Sequence, residues 1–452
     1  MKTGLPYGSR IAVVGSGISG LSAAWLLAGN YKVTVYDRAE YAGGHANTVD
    51  VELDGAMVPV DTGFIVYNDR NYPNLCALFD RLAVEAAPSD MSFSVSADGG
   101  RFEYGGARPS MLFAQARNLA RPRFYRMLRD IGRFYAAGKA CLESGESDLT
   151  LGKFLEREGF GRELVDRHVL PMGAAIWSTP KRRMLDFPAA AFFRFMDNHG
   201  LLGLADRPQW YTVRGGSRAY VDRLTAGFRD SIRLNTGVEA VTRNPEGVRI
   251  EDRQGGVELY DAVIMACHAD EALQTIKDAD GAERRVLGGF RYQRNLAVLH
   301  TDAAFMPRRR RAWASWNYLI GADADEVAPA VTYWMNRLQP LATRRNLFVT
   351  LNPADQPAEG AVLRSFPYDH PMFDAGARKM QKMVWNIQGA RGLWFCGAHL
   401  GYGFHEDGIQ SGLAVAEAMS GLRRPWRVEN ESGRLQLPAG WPEVLSAGRR
   451  AA

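Results

Sequence analysis

The stretch Arg10-Ile-Ala-Val-Val14-Gly15-Ser16-Gly17-Ile18-Ser19-Gly20, followed by Leu21-Ser-Ala-Ala-Trp-Leu-Leu-Ala28, decides the fold. Its first five residues are apolar and β-branched, the pattern of a short buried strand. A glycine-rich turn follows without a spacer. Eight good helix formers then lead to Gly29-Asn30, a helix stop. Tyr31 to Tyr36 is a second β-rich run, and Asp37 ends it, 17 residues beyond Gly20. Strand, glycine turn, helix, strand and acid in this order form a dinucleotide-binding βαβ unit. Gly15 permits the tight turn, Gly17 leaves the backbone bare for a pyrophosphate, and Gly20 lets the helix pack close to the strand. The free N–H groups of Ser16 to Ser19 at the helix start favour phosphate, and Asp37 is placed for ribose hydroxyls, with Arg38 beside it.

The residues just outward narrow the dinucleotide. Gly43-Gly44-His45 supplies a second glycine pair, and Asp61-Thr62-Gly63-Phe64 follows a β-patterned hairpin at 48–60. A nicotinamide domain needs neither. An extended FAD needs such bare-backbone approaches along its ribityl chain and ring system, which marks Thr62 and Gly63 as contacts.

These blocks, with Gly392-Leu-Trp-Phe-Cys-Gly397-Ala398-His399 and Gly401-Tyr-Gly-Phe-His405-Glu406-Asp407-Gly408-Ile409, resemble the flavin amine oxidase and phytoene desaturase superfamily. The resemblance implies an α/β fold: a Rossmann-like FAD-binding domain with an inserted α+β substrate domain, an amine oxidase-like two-domain flavoprotein. It also implies a closing helix that begins near Gly408 and Ile409 and points its N-terminus at the flavin, and an adenine contact at Val238. Ala175-Ile-Trp177-Ser, Leu299-His300-Thr-Asp302, Trp313-Ala-Ser-Trp316-Asn-Tyr318 and Thr332-Tyr-Trp-Met-Asn336 look like a bacterial subfamily of FAD/NAD-binding oxidoreductases associated with cyclopropane-fatty-acid-synthase-like enzymes. That implies a desaturase or dehydrogenase of unsaturated or methyl-branched fatty acyl chains in membrane lipid. Amine oxidation, double-bond isomerisation, and a non-enzymatic role beside a lipid-modifying enzyme are the alternatives. Two departures stand out. Ala398 and His399 occupy positions where many members carry an acid, and the strand 295–300 offers His300 where amine oxidases keep a lysine. His300, His405 and Glu406 are therefore the candidate catalytic residues, and Asp407 either contacts the flavin or caps the closing helix.

The expected FAD domain is discontinuous (1–85, 205–288 and 388–425). The substrate domain comprises a mostly helical insert (86–204) and a strand-rich one (289–387), and 426–452 forms a surface tail. Pro122 should split the helical pattern of 111–141, and Thr150 or Asp148 should cap the helix that follows. A 46% hydrophobic, 23% charged chain excludes a mainly disordered or fibrous protein. No apolar run reaches the roughly 18 residues of a membrane span, and residues 1–10 lack the core of a secretory signal, so a cytoplasmic protein is expected. Cys76, Cys141, Cys267 and Cys396 form no zinc or disulfide pattern. The net charge of +5 is too slight to imply nucleic acid. Its arginines, however, are clustered at 117–133 and 308–311. They read either as solvated faces or as a basic, aromatic surface for the inner face of an anionic membrane.

Overall fold

A computed structural model of the protein describes residues 4–106, 108–145, 149–177, 181–198, 200–203, 207–320 and 330–438. A five-stranded parallel sheet runs in the order Ile232–Arg233, Lys32–Tyr36, Arg10–Val14, Ala262–Met265, Leu393–Phe395. Its strands are hydrophobic on both faces, as a covered parallel sheet requires. Ile11, Val13, Val33, Val35 and Ile264 enter one core together with the helix Ile18–Leu27. Ala12, Val14, Tyr36, Val263 and Met265 enter a second core on the opposite face. The alternation is the two-residue period of a strand.

A seven-stranded sheet forms the other large layer. Its order is Val362–Met372, Arg291–His300, Phe348–Leu351, Ala330–Trp334, Trp316–Leu319, Phe93–Ala97, Phe102–Gly105, with one parallel pair, Trp316–Leu319 on Phe93–Ala97. The strands at 93–105 lie in the insert expected to be mostly helical. Their serine alternation (Ser92, Ser94, Ser96) masked the pattern, because one face of the sheet is polar yet buried. Helices Pro122–Ser144, Leu170–Trp177 and Ala189–Asn198 complete this half around a third core. Pro122 stands at the first turn of its helix, where its missing N–H costs nothing. Thr150 caps Leu151–Arg157 by accepting from the Lys153 N–H at 3.3 Å. Asp148, the alternative cap, and Ser178 lie outside the described residues.

Two expectations need correction. The closing helix spans His405–Ser420, so it begins three residues before Gly408. The Asp407 carboxylate accepts from the Phe404 N–H at 2.8 Å and so draws the helix start upstream. Residues 426–438 of the expected surface tail are packed on the body: Arg434 faces the buried Asp407 at 3.4 Å and Leu435 is buried, and the residues just before them are anchored as well. Arg424 is fully buried and grips Glu417 with two parallel bonds of 2.9 Å. Trp426 stacks on Trp25 at 5.7 Å between ring centroids. Residues 439–452 lie outside the described residues. Among the described residues, no helix is long and apolar enough to cross a membrane.

Candidate active site

A cavity of about 920 Å³ runs between the parallel sheet and the seven-stranded sheet. Its first half is lined by the glycine turn (Gly15, Ser16, Gly17, Ile18, Ser19), by Asp37 and Arg38, and by Gly43, Gly44 and His45. Thr62, Gly63, Val238, Gly397 and Gly408 line it as well. Three stretches far apart in the chain thus converge on one groove.

The local chemistry follows from the sequence. Gly15 has φ +111°, and a Cβ there would stand 2.8 Å from the Ala266 carbonyl oxygen. Gly17 has no side-chain cap bond and an ordinary φ of −69°, and a Cβ on it would meet no protein atom within 4 Å. The first-turn amides therefore face open cavity, a cradle one methyl would fill. This fits a pyrophosphate, since those amides carry partial positive charge and have no helical acceptor. Asp37 is partly committed elsewhere. Its Oδ2 accepts from the Ser16 N–H (2.7 Å) and hydroxyl (2.5 Å), and its Oδ1 accepts from the Ala39 N–H (2.9 Å). It pins the turn to the second strand as well as lining the groove. Arg38 pairs with Glu271 at 2.7 Å.

Five of the expected residues do not line this cavity: Gly20, Ile409, Asp407, Glu406 and His300. Gly20 packs the helix on the strand, since a Cβ there would lie 2.0 Å from the Gly15 oxygen. Ile409 is core. Asp407 caps the closing helix and faces Arg434 at 3.4 Å. Glu406 is fully buried, accepting from the Asn74 side chain (2.7 Å), the Leu75 N–H (3.0 Å) and Gln410 (2.9 Å). Burial raises both carboxyls, and Arg434 opposes the rise.

His300 is the clearest correction. Strand register puts Leu351, Tyr333, Trp316 and Phe93 on one face of the large sheet, and all four line the cavity. His300 pairs with Phe348, one residue out of phase, and so belongs to the opposite face. There it accepts from the Asp302 N–H at Nδ1 (3.2 Å) and donates from Nε2 to the Thr350 hydroxyl (2.7 Å), which meets Thr332 at 2.8 Å. Both nitrogens are spent in a buried polar ladder, and no lone pair faces a substrate.

His405 does line the cavity. It stacks on Phe64 at 3.7 Å and its Nε2 bonds the Tyr220 hydroxyl at 3.0 Å. With His45, His268, His370 and His399, five of the eight histidines line this one space. Burial drives His405 and His399 down to about 3 and His370 to about 4, and it holds His45 far below its ordinary value. His45, His370, His399 and His405 are therefore neutral at pH 7.

Sequence reasoning missed His370 and Tyr368, on the edge strand Val362–Met372. The Leu296 N–H donates to Asn352 Oδ1, Asn352 Nδ2 to Asn295 Oδ1 (2.7 Å), and Asn295 Nδ2 to His370 Nδ1 (3.0 Å). That chain orients both amides and leaves the His370 proton on Nε2. The Tyr368 hydroxyl bonds Thr62 (2.9 Å) and Asn47 (3.0 Å), and its ring stacks on His45 at 4.9 Å.

The second half of the cavity is apolar: Met172, Ile176, Trp177, Phe195, Trp316 and Phe404 stand among its walls. Of the four carboxylates that line the cavity among the described residues, three are engaged: Asp37 as above, Asp90 by Arg337, and Glu271 by Arg38. The fourth, Asp369, adjoins His370. Arg207, also in the lining, donates to the Gly203 carbonyl at 3.3 Å and makes no ion pair among the described residues.

Comparison with known proteins bears on this geometry. The family profile described as flavin containing amine oxidoreductase matches residues 18–305. Fifty residues are 49% identical to L-amino-acid oxidase of Pseudechis australis, a match spanning 11% of this chain and 10% of that protein. The CLA-producing fatty acid isomerase from P. acnes is similar in structure, with a TM-score of 0.65 at 16% identity over 91% of this chain and 97% of that one. Putrescine oxidase bound to putrescine gives 0.64 at 15% identity (91% and 99% covered). Cyclohexylamine oxidase from Brevibacterium oxydans gives 0.65 at 15% (91% and 98%). These structures share the fold.

Proposed function

The chain belongs to the flavin containing amine oxidoreductase family and its cofactor is FAD; from that premise we propose that it oxidises a carbon–hydrogen bond of a fatty acyl chain held in the apolar half of the cavity. The carrying observation is that apolar, aromatic half, whose lining also holds Arg207, a guanidinium with no carboxylate partner among the described residues. An acyl chain with an anionic head suits that combination, because the chain gains from burial and the head from Arg207. The fold is shared by a fatty acid isomerase and by amine oxidases, so the lining and not the architecture favours acyl substrate.

Bound FAD supplies a hydride acceptor. The glycine turn, Gly43, Gly44, His45, Thr62, Gly63, Val238, Gly397 and Gly408 would hold it. The first turn of the closing helix, whose His405 and Gly408 line the cavity, would offer partial positive charge to the reduced cofactor. His370 Nε2–H is a fixed neutral donor. The walls exclude water and align the chain. Departure of hydride leaves a cationic carbon, which the π faces of Trp177, Phe195 and Phe404 stabilise. A proton beside such a carbon is acidic enough for a weak base. His399 and His405, at about 3, meet that requirement, and no strong base is needed. The substrate loses one hydride and one proton and gains a double bond.

The test is anaerobic. Holoprotein mixed with vesicles of unsaturated or methyl-branched phospholipid should lose its flavin absorbance, and the recovered acyl chain should be two mass units lighter. Unchanged mass with a moved double bond makes the enzyme an isomerase. Bleaching by amines and not by lipid overturns the acyl assignment.

A further inference from the structure

One buried carboxylate joins two arginine clusters that lie about 190 residues apart in the chain. Glu103, fully buried on the strand Phe102–Gly105, accepts from the Arg308 N–H (2.7 Å), the Arg309 N–H (3.1 Å) and the Arg309 guanidinium (2.9 Å). The same strand end holds the other cluster. The Glu103 N–H donates to Gln115 (3.2 Å), Asn118 donates to the Glu103 carbonyl (3.0 Å), and both Gln115 and Arg121 donate to the Arg101 carbonyl. The turn 115–121 and the turn 307–311 are thereby fixed to one end of one hairpin. Arg121 is held below its ordinary value by partial burial first, then by the positive charges of Arg117, Arg167 and Arg309, with Asp98 opposing.

The charge is not locally neutralised. Arg101, Arg117, Arg121, Arg126, Arg308 and Arg311 make no ion pair among the described residues. Two large apolar side chains stand out between them, Leu119 at 56% and Tyr125 at 46% exposure. The Tyr125 hydroxyl donates to the Leu119 carbonyl at 3.1 Å, which ties the pair together. They rim a shallow cleft with Ala120, Pro122, Arg126 and Arg129.

We propose that this face, built on Glu103 and crowned by Leu119 and Tyr125, docks on an anionic phospholipid bilayer. The guanidinium groups meet lipid phosphate, and the two apolar side chains enter the boundary between headgroups and acyl chains. Charge complementarity and interleaved apolar side chains select a bilayer over a polyanion without an apolar layer. The proposal does not depend on the acyl reading, since a protein can dock here and oxidise another substrate.

Co-sedimentation of the FAD-loaded protein with vesicles tests it. Binding should be strong to mixed phosphatidylcholine and phosphatidylglycerol, weak to phosphatidylcholine alone, and weakened by salt. Arg117→Gln with Arg126→Gln should weaken binding about fivefold per residue, or about 25-fold together. FAD content and melting temperature should stay unchanged, because both side chains are exposed. Leu119→Asn should weaken binding further. Arg284→Gln with Arg285→Gln, an exposed pair of equal charge on another helix, should leave it unchanged. The proposal is overturned if neutral vesicles bind equally, if the two double variants weaken binding alike, or if the protein binds duplex DNA and no vesicle.

Discussion

Gly17→Ala separates the cradle from the scaffold. Gly17 has φ −69° and ψ 175°, which alanine adopts without strain, and the added methyl meets no protein atom within 4 Å. Loss of glycine flexibility from the unfolded chain favours alanine by about 0.4–1 kcal/mol, while alanine at an N-cap costs about the same. The stability of the apoprotein should therefore hold within about 1 kcal/mol. The cofactor should fare differently. The methyl occupies the space from which a pyrophosphate reaches the first-turn amides, and losing one charge-assisted hydrogen bond costs about 1.5–3 kcal/mol. FAD affinity should fall roughly ten- to 150-fold. Gly15→Ala is the contrast. At φ +111°, with its Cβ 2.8 Å from the Ala266 oxygen, it should lower apoprotein stability as well. FAD titration of apoprotein, followed by flavin fluorescence, and thermal melts of the same samples measure both quantities. Unchanged FAD affinity in Gly17→Ala, or an apoprotein melt that drops as far as in Gly15→Ala, would refute the reasoning.

Three other outcomes follow from the buried polar groups. Arg424→Met leaves the buried Glu417 with the half-buried Arg423 (3.0 Å) and the residue-424 N–H (2.9 Å) as its remaining partners, so unfolding free energy should fall by about 1–3 kcal/mol in urea titrations, and no measurable fall would show the Arg424 pair to be dispensable. Asp61, fully buried beneath Thr48, Ser217 and Gln339, is raised to about 6 by desolvation, which its hydrogen bonds only partly offset. A raised acid binds its proton more tightly when folded, so its contribution is complete below about 3.8 and is lost as pH rises through about 6. The wild type should gain about 1.4 kcal/mol between pH 7 and pH 5, and Asp61→Asn should lack that gain; parallel pH profiles would count against it. His300→Gln should leave FAD affinity and the bound-flavin spectrum unchanged while lowering stability by about 1–3 kcal/mol. His405→Gln should shift the spectrum, and the reverse pattern would restore His300 as a site residue.

How much could be read in advance depended on how local the determinants were. The βαβ unit was legible because its strand, turn, helix and acid are contiguous and each residue type answers a nearby backbone need. Gly15 and Gly20 illustrate this, since their tight contacts are made within the unit or with the adjoining strand. His300 was misplaced because its role turns on parity. A shift of one residue along the strand 291–300 exchanges the cavity face, where Leu351 and Tyr333 look, for the polar ladder of Thr350 and Thr332. Only the pairing of strands dozens of residues apart determines which face is which. His370 was invisible for the complementary reason. Its tautomer is set through Asn295 and Asn352, which lie 75 and 18 residues away, and no motif surrounds it beyond the flanking Pro367 and Pro371. The segment after 421 has the arginine, glycine and proline content of a solvated arm. Yet Arg424 and Arg434 are drawn inward by Glu417 and by the buried pair Glu406 and Asp407, acids already placed in the core by the closing helix. Composition reports what a segment can afford to expose. A buried charge of opposite sign elsewhere in the chain overrides it, and that information lies in the fold.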